Sequence, residues 1–242
     1  MSNTFYQLAT QAGGICTING KNIFTQFNAY LKSLQVTPGD IASNAFKTVG
    51  GSSLRTSSYD MGIAGLSMVL YVGGATKEES SLNTSNIILE CQDCLIKAEE
   101  EHFEYAAILS SFNVKDTEVD FYTEVELVFK AVKRLPKVTV NLSSGQGTFK
   151  NPGTALSGAC ITITPKVNLE SIQVNGIVIM GLSSGQPFII DGIEGTVQCN
   201  GVNRFLDTDL IDFPKVTPGL NSVVSSSNNV DIEVSFYPTF LV

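Results

Sequence analysis

One serine in this sequence lies in a spacing known from catalytic sites. Residues 181–185 read Gly-Leu-Ser-Ser-Gly and match G-x-S-x-G, which would place Ser183 as a nucleophile at a turn from a strand into a helix. The following residues, 186–190, have the composition of a strand instead. The only histidine, His102, precedes the serine, although that fold places its catalytic histidine last. We therefore favour a Gly/Ser hairpin loop over a nucleophile.

Two other groups have residue types that bind metals or transfer protons. His102 follows three glutamates at 99–101, but one imidazole beside acids is more typical of a solvated face. Cys91 and Cys94 have the C-x-x-C spacing that suits zinc when a second pair completes the site, and the sequence has no second pair. Because both cysteines fall within an apolar stripe, we predict that they are small core residues rather than redox thiols.

Carboxylates cluster in the last quarter of the chain. They are Asp191, Glu194, Asp207, Asp209 and Asp212, with Arg204 close to the last three. Their spacing matches no EF-hand loop, and a glycosidase pair is defined by separation in space, so we favour a turn with a local ion pair. A glycoside hydrolase using two of these acids stays an open alternative. No phosphate-binding glycine motif occurs. The sequence predicts no enzyme, with no catalytic, cofactor-binding or metal-binding residues and no cofactor.

Composition limits the possible partners. The 242 residues are 43% hydrophobic and 16% charged, and the formal net charge of −8 argues against nucleic-acid binding. The longest apolar stretch, 61–75, is interrupted by glycines and is shorter than the roughly 20 residues that span a bilayer. The start of the chain has no signal-peptide pattern. Five cysteines without framework spacing are typical of free thiols, so we expect synthesis in a cytoplasm and no membrane partner.

Alternation of apolar and polar residues predicts that most of the chain is β. The clearest strand is 230–236, and a second puts five apolar residues on one face: Val119, Phe121, Val125, Leu127 and Phe129. Asn-Gly pairs at 19–20, 175–176 and 200–201 predict two-residue hairpin turns. Thr217 to Leu220 contains Pro-Gly and predicts a tight type II corner.

One helix is predicted between about Ser85 and Glu101. Its stripe consists of Ile87, Ile88, Cys91, Cys94, Leu95 and Ala98. The alternating residues Leu66, Met68, Leu70 and Val72 are interpreted as a strand in the core, with a subunit contact as the less favoured alternative. Proline and clustered cations at 133–137 place a domain boundary between 135 and 136, which gives domains 1–135 and 136–242.

The order of several segments resembles a known family. The specific part is the run 188–197 with its Asp-Gly, then 200–203, then Phe213 to Asn221, then the strand 230–236; 151–153 and 159–164 agree with the start of the same domain. Looser agreement covers 18–21, the helix after Ser85, and 105–109 leading to the strand that ends near Ala131. Together these segments resemble the distal tail protein (Dit) family of tailed phages of Gram-positive bacteria.

The resemblance implies a mainly β protein of two domains, an N-terminal β-sandwich with one packed α-helix and a C-terminal galectin-like β-sandwich. It further implies a structural hub at the virion tail tip, in which N-terminal domains form a hexameric ring. Such a ring connects the tail tube protein to the tape-measure protein, the tail-associated lysin and a receptor-binding protein. A stand-alone lectin-like module is the alternative, although the chain has no Trp for stacking on sugar.

Overall fold

The chain forms two compact units, each with its own core. The computed structural model describes residues 16–39, 41–47, 54–61, 63–98, 102–119 and 121–241, with side chains in all of these ranges except 41–47 and 54–61. One unit comprises the residues up to Arg134, and the other comprises Leu135–Phe240. Both are built mainly from antiparallel strands, which confirms the predicted mainly β fold class. No helix in these ranges is long and apolar enough to cross a bilayer.

The first unit is a sheet with two short helices. Its strands are β1 (Cys16–Ile18), β2 (Lys21–Asn22), β3 (Ala29–Thr37), β4 (Ile41–Lys47), β5 (Leu54–Met61), β6 (Ala64–Gly73), β7 (Asp93–Ala98), β8 (Glu104–Asp116) and β9 (Tyr122–Arg134), and its helices are α1 (Ile23–Phe27) and α2 (Lys77–Glu90). Seven strands pair antiparallel in the order β2-β1-β7-β8-β9-β6-β3, and β4 pairs with β5. Among the described strands, the sheet therefore ends at β2 on one side and at β3 on the other.

The core of this unit lies on one face of β6 and β9. Leu66, Met68, Leu70 and Val72 are fully buried, which confirms their interpretation as a core strand and excludes a subunit contact through these side chains. On β9, Val125, Leu127 and Phe129 are buried as predicted, and Ala131 continues the stripe. Val119 and Phe121 precede β9 and are exposed, so their predicted place on this face was wrong.

The predicted helix over 85–101 was wrong at both ends. α2 begins after Thr76, whose hydroxyl accepts a hydrogen bond from the Glu79 amide at 3.2 Å, and the Glu79 carboxylate accepts one from the Ala75 amide at 2.7 Å. This reciprocal capping is a start signal that the apolar stripe alone does not contain. After α2 ends at Glu90, residues 93–98 form β7, in which the buried Cys94, Ile96 and Ala98 alternate with residues that are half-buried or exposed.

The second unit is a β-sandwich. Its strands are β10 (Val138–Leu142), β11 (Gln146–Asn151), β12 (Ser157–Pro165), β13 (Leu169–Val174), β14 (Ile177–Leu182), β15 (Phe188–Asp191), β16 (Thr196–Cys199), β17 (Val202–Asn203), β18 (Lys215–Val216), β19 (Gly219–Val224), β20 (Val230–Phe236) and β21 (Thr239–Phe240), with 3-10 turns at Ser143–Gly145 and Phe205–Asp207. One sheet has the order β10-β20-β12-β15-β16-β17, with β18 beside β12. The pairs β11-β19 and β13-β14 share one apolar core with this sheet.

The predicted turns and the last strand are confirmed. Asn19-Gly20, Asn175-Gly176 and Asn200-Gly201 each have positive φ at both residues and join paired strands. Of the two-residue hairpin turns, only type I′ has positive φ at both central residues. At the Pro-Gly corner, Gly219 has φ 86°, as a type II turn requires. On β20, Val230, Ile232, Val234 and Phe236 are buried, as their alternation predicts.

Four of the five cysteines are buried, and three of these lie in the core of the first unit: Cys16 and the C-x-x-C pair Cys91 and Cys94. Cys91 caps the end of α2 and Cys94 lies in β7, so the prediction of small core positions is confirmed. Burial, with a smaller contribution from Cys94, raises the pKa of Cys16 to about 12. Hydrogen bonding to Cys94 and then burial raise the pKa of Cys91. These thiols stay protonated and unreactive, in contrast to redox thiols.

We predict a loss of stability at alkaline pH that depends on Cys16. In the unfolded chain this thiol ionises at about pH 8.5, whereas in the folded chain it keeps its proton until about pH 12. Its contribution is complete below about pH 8.5 and disappears as pH rises through this window, by up to about 1.4 kcal/mol per pH unit. Urea unfolding of wild type, Cys16→Ala and Cys16→Ser between pH 8 and about pH 10.5 checks this. Both variants should show a shallower pH slope, and equal slopes in all three would contradict it.

The division into domains 1–135 and 136–242 stays a prediction. Because the buried residues of the second unit form a core of their own, we expect residues 136–242 to fold when expressed alone. The fragment should unfold in one cooperative transition with urea, and Val234→Asp, which places a carboxylate in that core, should abolish the transition. A fragment without a cooperative transition would show that the boundary is wrong.

Candidate functional site

The serine motif forms a loop and not a nucleophile elbow. Residues 183–187 connect β14 to β15, and the chain continues as a strand where the elbow needs a helix. The Ser184 hydroxyl donates to the Lys166 carbonyl at 2.8 Å, and the Ser184 amide donates to Asn168 Oδ1 at 2.8 Å. The predicted hairpin is wrong, because β14 pairs with β13 whereas β15 pairs with β12 and β16. The loop therefore joins the two layers of the sandwich.

The histidine cluster has no described acid partner. His102 is exposed, and Glu99 to Glu101 lie outside the described residues. The next acid, Glu104, accepts a hydrogen bond from Arg134 Nε at 3.0 Å. Across the described ranges, no group of three or more His, Cys, Asp or Glu side chains is placed to hold a metal ion.

Asp191 holds the turn between β15 and β16. Its Oδ1 accepts hydrogen bonds from the amides of Ile193 and Glu194, at 2.8 and 3.1 Å. Asp191 and Glu194 both line a surface pocket of about 460 Å³. The Asp191 carboxylate is thus occupied in satisfying backbone donors, as an Asx turn requires.

The remaining acids shape a second loop, 204–213, which we call the Asp loop. Arg204 Nε donates to the Asp207 carboxylate, so the predicted turn with a local ion pair is confirmed. Asp209 is fixed on β14, because its Oδ1 accepts from the Val178 amide at 2.6 Å while its own amide donates to the Val178 carbonyl at 3.2 Å. Asp212 is exposed. Asp207 is thus held by its ion pair with Arg204, and Asp209 by hydrogen bonds to the backbone of β14.

The Asp loop also carries apolar side chains that the sequence reasoning missed. Leu206 is 91% exposed and Ile211 is 96% exposed, while Leu210 between them is buried. The sequence did contain a sign of these exposed residues: they are aliphatic residues in a turn rich in aspartate, and their spacing fits neither a strand nor a helix.

A second exposed apolar feature lies on the sheet of the first unit. β7 pairs with β8 only over Tyr105 to Ile108, so residues 110–116 of β8 have β9 on one side and, in the part of the chain that the structure describes, no strand on the other. Phe112 is 55% exposed, and Val114 is also exposed. We call residues 110–116 the β8 edge. Unpaired backbone donors and acceptors beside apolar side chains form a template for another strand.

Comparison with known proteins identifies the fold. No model of a protein family matches the sequence, and no curated protein matches it. The structure is similar to that of the SPP1 Dit (gp 19.1) protein, described as a paradigm of the hub adsorption apparatus in phages that infect Gram-positive bacteria. The TM-score is 0.70 at 12% identity, over 93% of this chain and 98% of SPP1 Dit.

Similarity also extends to chains of the phage P2 baseplate in its activated conformation. The chain from the baseplate with Ca gives a TM-score of 0.49 at 10% identity, over 86% of this chain and 90% of that chain. The chain from the baseplate with Sr gives 0.48 at the same identity and coverage. The match to SPP1 Dit spans nearly the whole of both chains, and it confirms the predicted resemblance to distal tail proteins at the level of the fold: this chain has the fold of SPP1 Dit.

Proposed function

We propose that this protein is a structural hub of a phage tail tip. In this role it forms a hexameric ring that joins the tail tube to the tape-measure protein, the tail-associated lysin and the baseplate or receptor-binding components. It is made in the cytoplasm of the bacterial host and ends in the virion. The observation that carries the proposal is the shared fold with SPP1 Dit over 93% of this chain.

The chemistry of the described side chains is compatible with a mechanical role. Its carboxylates at Asp191, Asp207 and Asp209 are used to hold turns. Its buried thiols at Cys16 and Cys91 stay protonated because their pKa values are raised. The hub needs no catalytic group, and the second unit serves as a galectin-like outer domain that presents surface to other components.

The sheet of the first unit supports ring formation. A ring requires a heterologous interface, in which two different surfaces of each copy meet, and a sheet with two dissimilar edges offers such surfaces. One is the outer side of β3, a nine-residue strand that pairs only with β6 among the described strands. The other is the β8 edge. We propose that the β8 edge contacts the neighbouring copy in the ring, where Phe112 and Val114 become buried.

The ring itself is tested by mass and by image. Light scattering of the purified wild-type protein should give a particle six times the 25.9 kDa of one chain, and negative-stain images should show an annulus with sixfold symmetry. A monomer that persists at high protein concentration would contradict the proposed function.

The contact is tested by placing charge on the β8 edge. Phe112→Asp/Val114→Asp should reduce the fraction of protein in rings at least about tenfold, because two carboxylates would have to be desolvated at each contact. Ile108→Asp is the matched control. Ile108 lies on the same strand and is 61% exposed, but at this position β8 is paired with β7 on one side and with β9 on the other. Rings that survive the double substitution, or that are lost equally in the control, would exclude the β8 edge while leaving the hub proposal intact.

A further inference from the structure

The Asp loop exposes two aliphatic side chains that the fold does not use. Leu206 and Ile211 lie five residues apart and are each more than nine-tenths exposed. Single exposed aliphatic residues are common on protein surfaces. Two on one short loop, both almost without intramolecular contact, make no hydrophobic contribution to the second unit. Their apolar surface is therefore available to another molecule.

The loop that carries them is held in place. At its start, the Arg204 amide donates to the Val197 carbonyl at 3.0 Å, and Arg204 pairs with Asp207. In its middle, the two hydrogen bonds between Asp209 and Val178 fix it to β14. Leu210 anchors it in the core of the sandwich. A loop that is already ordered loses little conformational entropy on binding, so its exposed side chains are preorganised for a partner.

The charge of the loop defines the chemistry of that partner. Residues 204–213 contain three carboxylates and one guanidinium. Asp207 is paired with Arg204, whereas Asp209 and Asp212 are exposed and have no cation within ion-pair distance among the described residues. A complementary surface has an apolar cleft for the two aliphatic side chains and Lys or Arg at its rim.

Other occupants fit less well. An anionic membrane surface repels the carboxylates of the loop, and the contact between copies of this chain is already proposed for the β8 edge. A sugar favours stacking on Trp, which the sequence lacks, and Phe205, the aromatic residue at the start of the loop, is 42% exposed with its ring 6.4 Å from that of Phe213. A different protein with a basic rim fits all of the observations.

We propose that the Asp loop is a docking site for another protein, which receives Leu206 and Ile211 in an apolar cleft rimmed by Lys or Arg. The site lies in the second unit and uses no residue of the β8 edge. The docking site and the ring are therefore independent proposals, and failure of one does not contradict the other.

The probe is a library of random peptides made by messenger-RNA display. Wild-type full-length protein is the bait, and peptides that bind Leu206→Asp/Ile211→Asp are removed. The selected peptides should combine aliphatic or aromatic residues with Lys or Arg. Each should bind the double variant at least about tenfold more weakly than wild type, and added salt should weaken binding to wild type.

Two variants separate the loop from general effects. Leu220→Asp is the matched control, since Leu220 is 75% exposed in the same unit and this substitution should leave binding unchanged. Asp212→Lys reverses a charge without removing an aliphatic side chain and should weaken binding several-fold. Melting temperatures of all variants should equal that of wild type, because each substituted side chain is exposed.

The proposal is overturned by any of three results. The first is a selection in which no peptide distinguishes wild type from the double variant. The second is selected peptides without cationic residues. The third is a lower oligomeric mass for the double variant than for wild type in light scattering, which would assign the loop to a contact between copies of this chain.

Discussion

The need to cover the apolar face of β6 and β9 determines the arrangement of the first unit. The buried side chains at Leu66, Met68 and Leu70 on β6 continue across the sheet into β9, and α2 packs over both strands. α2 occupies residues 77–90, and the following strand, β7, has only six residues. Because β8 has thirteen residues, its residues 110–116 have no strand on the β7 side among the described residues. The β8 edge is thus a consequence of how the core is covered.

In the second unit, polar side chains hold turns so that strands can alternate between the two layers. Asp191 closes the turn after β15, Asp209 fixes a loop on β14, and Asn221 accepts a hydrogen bond from the Thr217 amide at 3.0 Å in the Pro-Gly corner. Each of these side-chain oxygens accepts a hydrogen bond from a backbone N–H in a turn. A backbone N–H near the core needs such a partner where no neighbouring strand supplies one. Asp191 and Asp209, two of the acids that suggested hydrolysis or calcium binding, have this structural role.

Local patterns predicted the features that depend on neighbours in sequence. The alternation in 230–236 depends only on the pleat of a single strand, and each Asn-Gly turn depends only on positive φ at two residues. The predicted strand and the three predicted turns are all confirmed. The helix was misplaced because 87–98 fits a helical stripe as well as a helix end followed by a strand; the capping pair Thr76 and Glu79 distinguishes the two. Exposure of Phe112, Leu206 and Ile211 depends on which segments pack nearby, so no sequence period reports it.

This chain shares its fold with SPP1 Dit at 12% identity. The fold therefore constrains some positions of the sequence and leaves others free to vary. Core positions such as those on β20 accept many apolar residues as long as volume and alternation are kept, so sequence can diverge while the fold persists. Exposed positions are under no such packing constraint, and their identity reflects the molecules that they contact. The aliphatic residues of the Asp loop are costly to leave in water and contribute nothing to the core. Their presence on a rigid loop is therefore best explained by a contact specific to this chain, which the shared architecture positions but does not define.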